Sequence, residues 1–359
     1  MKIAISTGGG DAPGLNAVIR AAVLSALHRG FDLYGIQRGF GGVLDEGHVL
    51  RLGRDEVRGI THLGGTILGT TNRGNPFRWA TPQPDGTVKE VDRSDELIAR
   101  FRALGFDALI MVGGDGSLRI AYDLFRKGLP VVGVPKTIDN DVGGTVITFG
   151  YDTAVSTATE AIDKVHSTAE SHERVMVVEV MGRYAGWIAL NSGLAGSADV
   201  ILIPEIPYDI GVVCHKILER EKEGRRFSIV VVAEGAVPKG GGVTVKERAG
   251  AGTVERLGGV GERVAAEITA LTGKESRWLT LGHLQRGGSP TTFDRLTALR
   301  FGAAAVRAVA EARFGHMVAL DPPRIKLVPL AEALEKPKLV PLDSDSVQTA
   351  RELGTCLGD

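Results

Sequence analysis

The chain has 359 residues, 43% hydrophobic and 24% charged, which is enough for two domains with their own cores. Its net charge of −1 excludes a global field that would draw nucleic acid or an anionic membrane, so neither is an expected partner. Apolar runs such as Val175–Val180 are far too short to span a bilayer, and Met1–Ile5 reads as a first strand rather than a signal peptide.

In chain order, strands are expected at Ile3–Ser6, Leu33–Ile36, Ala108–Val112, Val131–Val134, Val175–Val180, Val200–Ile203, Ser228–Ala233 and Trp278–Leu281. Each is a continuous apolar run, as parallel strands buried on both faces require. Amphipathic helices are expected between them at Leu15–Arg29, Ser94–Leu104, Leu118–Arg126, Ala154–Ser167, Gly211–Lys222 and Gly261–Thr272. This alternation predicts an α/β fold with doubly wound, mainly parallel sheets and a crossing near Gly150. Lys239–Gly252 is Gly-rich and reads as a surface loop, and the chain from Asp321 onward reads as a peripheral extension. Cys214 and Cys356 lack metal-ligand spacing and a nucleophile motif, so they read as reduced structural thiols of a cytoplasmic protein.

Ligands of open α/β sheets bind beyond the carboxyl ends of the strands. Here those ends carry Gly8–Gly14, Gly113–Ser117, Pro135–Asp141, Met181–Arg183, Glu234 and Gly282–Gly288. Glycines let backbone approach a polyphosphate, and amides at a helix start donate to it. A single Gly-Gly-Asp-Gly is more often a turn; two Gly-rich loops in register at strand ends favour phosphate, with Asp115 as a candidate magnesium ligand. No Walker A motif, dinucleotide fingerprint or nucleophile elbow occurs. Asp139 and Asp141 flank Asn140 and could orient a hydroxyl and take its proton; an Asx-rich turn is the competing reading. Arg174, Arg183, Arg277 and Arg286, with His283, form a dispersed basic set suited to gripping phosphate.

Gly9–Ala17, Gly113–Ser117, Thr137–Asp141, Met181–Gly186 and Gly282–Pro290 together resemble the 6-phosphofructokinases, in order, from about Met1 to Arg307. The resemblance implies two Rossmann-like three-layer domains. Residues 1–150 with about 285–335 would hold the phosphoryl donor, and residues 151–284 with the C-terminal segment would hold fructose 6-phosphate. It implies ATP as co-substrate, magnesium at Asp115, and Asp139 as the base for the sugar 1-hydroxyl. Arg73, Thr137 and Arg183 complete the implied catalytic set. Gly10, Arg73, Gly74, Gly113, Gly114, Asp115, Gly116 and Ser117 would line the donor. Thr137, Ile138, Asp139, Met181, Gly182, Arg183, Glu234, His283, Leu284, Gln285 and Arg286 would bind the sugar phosphate. Arg174 and Arg277 match arginines lent by a neighbouring subunit, so a homodimer or homotetramer with shared active sites is implied.

Two departures bear on these implications. The pair Gly116 and Lys136 resembles a mixed-substrate group: Gly116 matches ATP users, whereas Lys136 is typical of the pyrophosphate-using branch. The expected reaction is ATP-dependent, with pyrophosphate as the alternative donor and a non-catalytic nucleotide-sensing paralogue as a further alternative. Arg20 matches one arginine of the bacterial effector site, but Leu24 stands where the second would be, which disfavours control by ADP or phosphoenolpyruvate.

Overall fold

Strands that are apolar on both faces need helices above and below them. Ser228–Ala233 (SIVVVA) and Val131–Pro135 (VVGVP) are buried at every position. The computed structural model describes the chain apart from residues 46 and 248–255; of 245–247 and 256 it describes the backbone alone.

Two main sheets form. The first runs Arg324–Pro329, His316–Asp321, Val131–Pro135, Ala108–Gly113, Lys2–Thr7, Asp32–Ile36, Val49–Leu52. Its inner pairs are parallel and its two edge strands antiparallel. The second runs Ser276–Thr280, Val175–Val180, Ser228–Ala233, Val200–Leu202, all parallel. The fold is α/β with mainly parallel sheets, as expected.

Helix Tyr151–Ser171 carries the chain from the first sheet to the second. Its first turn is tied to helix Thr292–Ala310 through Asp294, which accepts from the Thr153 amide at 2.8 Å and hydroxyl at 2.5 Å. Burial pushes the Asp294 carboxyl up to about 6. Helix Thr292–Ala310 in turn lies against Leu15–His28 so closely that a Cβ on Gly302 would sit 2.4 Å from the Val18 carbonyl oxygen. Neither backbone can yield there. Gly302→Ala is expected to lower the unfolding free energy by about 1–3 kcal/mol in urea denaturation; an unchanged midpoint would refute so tight a crossing.

Several expectations need correction. The strand expected at Trp278–Leu281 spans Ser276–Thr280. The helix expected from Leu118 begins at Asp115, because Gly114 is its N-cap and Asp115 suits the positive end of the helix dipole. Helices Trp187–Ala195 and Thr292–Ala310 lacked a clear polar face, being packed on most sides. Within Lys239–Gly252, Val245–Glu247 is a short strand paired with Arg256–Leu257, and residues 248–252 lie outside the described residues.

The extension from Asp321 is not peripheral. Arg324–Pro329 is an edge strand, Leu330, Val340, Val347, Ala350 and Leu357 are buried, and Cys356 bridges to Val200 at the edge of the second sheet. The apolar residues are too widely spaced to look like one element: Leu330 packs in one hydrophobic cluster, and Val340, Val347, Ala350 and Leu357 pack in another. Among the described residues no helix is long and apolar enough to cross a membrane.

Candidate active site

Three adjacent strands of the first sheet end together. Gly8 N–H donates to the Val112 carbonyl at 3.0 Å, and Lys136 N–H donates to the Gly113 carbonyl at 2.9 Å. A Cβ on Gly113 would lie 2.3 Å from the Ser117 Cβ, so the turn needs a residue without one. Asp115, Gly116 and Ser117 form the first helical turn beyond that glycine, and a Cβ on Gly116 would meet no described atom within 4 Å. The segment bearing Arg73 runs alongside: Gly9 N–H donates to the Thr71 carbonyl at 3.0 Å, and the Thr70 hydroxyl donates to the Gly9 carbonyl at 2.6 Å. Arg73 itself is exposed, and Gly74 follows with φ 96°.

The third strand end supplies Thr137–Asp141. The Thr137 hydroxyl accepts from Asp139 N–H at 3.1 Å, and the Thr137 carbonyl accepts from the Thr148 hydroxyl at 2.7 Å. Asn140 sits at φ 52°, a conformation asparagine tolerates, and its Oδ1 accepts from Thr148 N–H at 3.1 Å. Asp139 and Asp141 each leave Oδ1 without a hydrogen-bond partner. Burial and then the neighbouring Asp141 push the Asp139 carboxyl up to about 6, against the pull of Arg286, Lys136 and Arg183. Lys136 is buried with its ammonium on the Gly10 carbonyl; burial and Arg286 bring it down to about 7.

The second sheet closes the crevice. Met181 N–H donates to the Gln285 side-chain carbonyl at 2.9 Å, which joins the Met181–Gly186 segment to Gly282–Arg286. A Cβ on Gly235 would lie 2.0 Å from the Arg183 carbonyl oxygen, so the chain after Glu234 must be glycine for that segment to seat. Burial, with Asp139 and Glu179 adding to it, pushes Glu234 up to about 7. Arg286 reaches back across the crevice to the Asp11 carbonyl at 3.2 Å, and the Arg183 guanidinium lies 5.1 Å from the Tyr184 ring centre. Titratable groups driven toward neutrality in one crevice mark it as a candidate functional site.

The family model described as Phosphofructokinase matches residues 2–309. This chain belongs to the phosphofructokinase family. It is 50% identical over 358 residues to the ATP-dependent 6-phosphofructokinase of Chloroflexus aurantiacus, covering 100% of this chain and 98% of that protein. It is 50% identical over 361 residues to ATP-dependent 6-phosphofructokinase 1 of a Synechocystis strain, with 100% and 98% coverage. Among solved structures, Pichia pastoris phosphofructokinase in the T-state matches with a TM-score of 0.79 and 33% identity, over 99% of this chain but 36% of that longer one.

Within this phosphofructokinase-family chain the basic set divides in two. Arg183, His283 and Arg286 lie at the carboxyl end of the second sheet, with Met181, Gly182 and Glu234. His283 and Leu284 are exposed and line an open cleft of 750 Å³ with Thr157, Thr280 and Gly287. Arg174 and Arg277 lie at the amino end of the same sheet, where both pair with Glu275 at 2.9 and 2.6 Å. Val175–Val180, six residues and roughly 20 Å of strand, separates Arg174 from the crevice. A phosphate grip by all four arginines within one chain is therefore ruled out by distance. The Ile138 side chain is fully buried in the second core, so that residue can face the crevice through its backbone alone. Arg20 donates to the Val57 carbonyl at 3.0 Å and is engaged in holding that loop. Glu205 escaped notice in the sequence, although it closely follows a strand: it accepts from Gly186 N–H at 3.0 Å and fixes the end of the Met181–Gly186 segment.

Proposed function

We propose that this chain phosphorylates D-fructose 6-phosphate at its 1-hydroxyl with ATP, giving fructose 1,6-bisphosphate and ADP, a step of glycolysis. The relatives named as ATP-dependent 6-phosphofructokinases match it from end to end. The observation that carries the reading is Asp139, a carboxylate with one unpartnered oxygen, set at a strand end among Lys136, Arg183 and Arg286.

Phosphoryl transfer asks for alignment and charge compensation. Gly10, Gly74 and Gly113–Ser117 cradle the donor, and Arg73 reaches the transferring group. Met181, Gly182, Arg183, Glu234, His283, Leu284, Gln285 and Arg286 hold the sugar phosphate. Asp139, with Thr137 bracing its amide, accepts the 1-hydroxyl proton while that oxygen bonds to the γ-phosphorus and the bond to the β,γ-bridging oxygen breaks.

Magnesium fits this set. Among the described residues no cluster of three or more His, Cys, Asp or Glu could hold a metal by itself. Magnesium on a nucleotide needs only one or two carboxylates beside phosphate and water, and Asp115 is a half-exposed carboxylate on the donor side. Bound there, it would offset negative charge on the donor phosphates. A cytoplasmic setting belongs to this reading, as the place of a glycolytic step. The donor half is residues 1–150 with about 285–335, the sugar half 151–284 with the C-terminal segment.

The deciding assay gives purified protein fructose 6-phosphate and magnesium with either ATP or pyrophosphate; turnover with neither, or with pyrophosphate alone, defeats the proposal. Arg174 and Arg277, too far from their own crevice, serve a neighbouring subunit's sugar phosphate in a homo-oligomer. Mixing inactive Arg277→Ala chains with inactive Asp139→Asn chains is expected to restore part of the activity, since some sites then combine an intact base with an intact lent arginine. Hybrids that form without any rescue would count against shared sites.

A further inference from the structure

Beyond the helix cores, the C-terminal segment crosses the fold where two substrate-binding segments meet. Lys338 donates three hydrogen bonds from Nζ: to Asn140 Oδ1 at 2.7 Å, the Val146 carbonyl at 2.8 Å and the Thr145 carbonyl at 3.1 Å. Its own N–H donates to the Asp141 carbonyl at 2.9 Å, and its carbonyl accepts from Trp187 Nε1 at 2.9 Å. Val340 N–H donates at 2.8 Å to Glu205, the carboxylate that also holds Gly186 N–H. A Cβ on Gly143 would lie 2.8 Å from the Ala333 carbonyl oxygen, so the extension and the loop after Asp141 are in backbone contact.

We propose that residues 333–340 form a strap that sets the Asp139-bearing loop against the Met181–Gly186 segment, with Lys338 as a positioning residue for the transfer. The inference rests on the phosphofructokinase reading above. Asn140 holds a left-handed backbone between the two aspartates, a conformation asparagine tolerates and its bonded surroundings fix. Its Oδ1 is shared by Lys338 and Thr148, the first from the extension and the second from the loop's return. An ammonium has three protons. All three of Lys338 are used on this loop, which leaves none for a ligand and makes its role one of placement.

Lys338→Met keeps the stem and removes the donors; Lys338→Arg keeps a charged donor. In Lys338→Met, amide hydrogen exchange of residues 140–148 should quicken about tenfold while exchange in the sheet strands stays at the wild-type rate. With fructose 6-phosphate and ATP, kcat should fall about tenfold while KM for ATP stays within about twofold, and Lys338→Arg should recover part of both losses. Unchanged exchange at 140–148, exchange quickened equally throughout the chain, or an unchanged kcat would each overturn the strap. If Lys338→Met does not fold, Trp187→Phe removes the adjoining bond from the other side, and the same confined loosening is required of it. If wild-type protein fails to turn over the sugar phosphate, the functional reading falls, while the confined exchange result still decides whether the strap exists.

Discussion

Asp139→Asn should lower kcat by between about 100-fold and about 10,000-fold, with fructose 6-phosphate binding nearly unchanged. The amide keeps the size and the Thr137 contact to the backbone but cannot accept the hydroxyl proton. The wild-type carboxyl has the right poise for that task. Burial and Asp141 raise it to about 6, so it is ionised at neutral pH yet more basic than an ordinary carboxylate. The sign follows: the base works when deprotonated, so wild-type kcat/KM should fall as pH drops through about 6, as a property of the Asp139–Asp141 pair. Residual turnover in Asp139→Asn should lack that acid limb. Near-normal turnover in the variant, measured by coupled assay with binding checked by calorimetry, would move the base elsewhere.

Gly116→Asp should depress ATP turnover by at least about 100-fold, because with the donor placed as proposed a carboxylate there would stand beside the nucleotide's α-phosphate, two like charges at close range. The geometry separates charge from size here. The space above Gly116 is clear, so a longer side chain fits without moving the helix that begins at Asp115. Gly116→Asn, equal in volume and neutral, should therefore keep most of the ATP activity. Lys136 acts in the opposite sense, since its ammonium beside the donor loop could stabilise a pyrophosphate leaving group. It is buried against the Gly10 carbonyl, and Gly116→Asp is expected to expose some pyrophosphate activity because that lysine is already in place. Wild-type protein that used pyrophosphate and not ATP would transfer the choice of donor from Gly116 to Lys136.

The α/β class and most of the crevice were legible in the chain itself. Parallel strands buried on both faces show as unbroken runs such as Ile229–Ala233, and glycine or carboxylate immediately after such a run marks a sheet's ligand-binding end. Those are local signals, since strand, turn and helix start lie within a few residues of each other. What needed the tertiary structure involved contacts between distant residues. From residue type alone Arg174 and Arg277 fall in one basic set with Arg183 and Arg286; only the family resemblance set them apart, and the strand direction puts them at the opposite end of the sheet. Helix Thr292–Ala310 carries little polar face because it is buried between other elements. The residues after Asp321 have no single periodic pattern, because their buried apolar residues divide between two clusters, and Lys338 bonds a loop 198 positions earlier. A hydrogen bond across that separation leaves no trace in spacing or composition; its partners are fixed by the packing of both sheets, which brings the two segments to the same place.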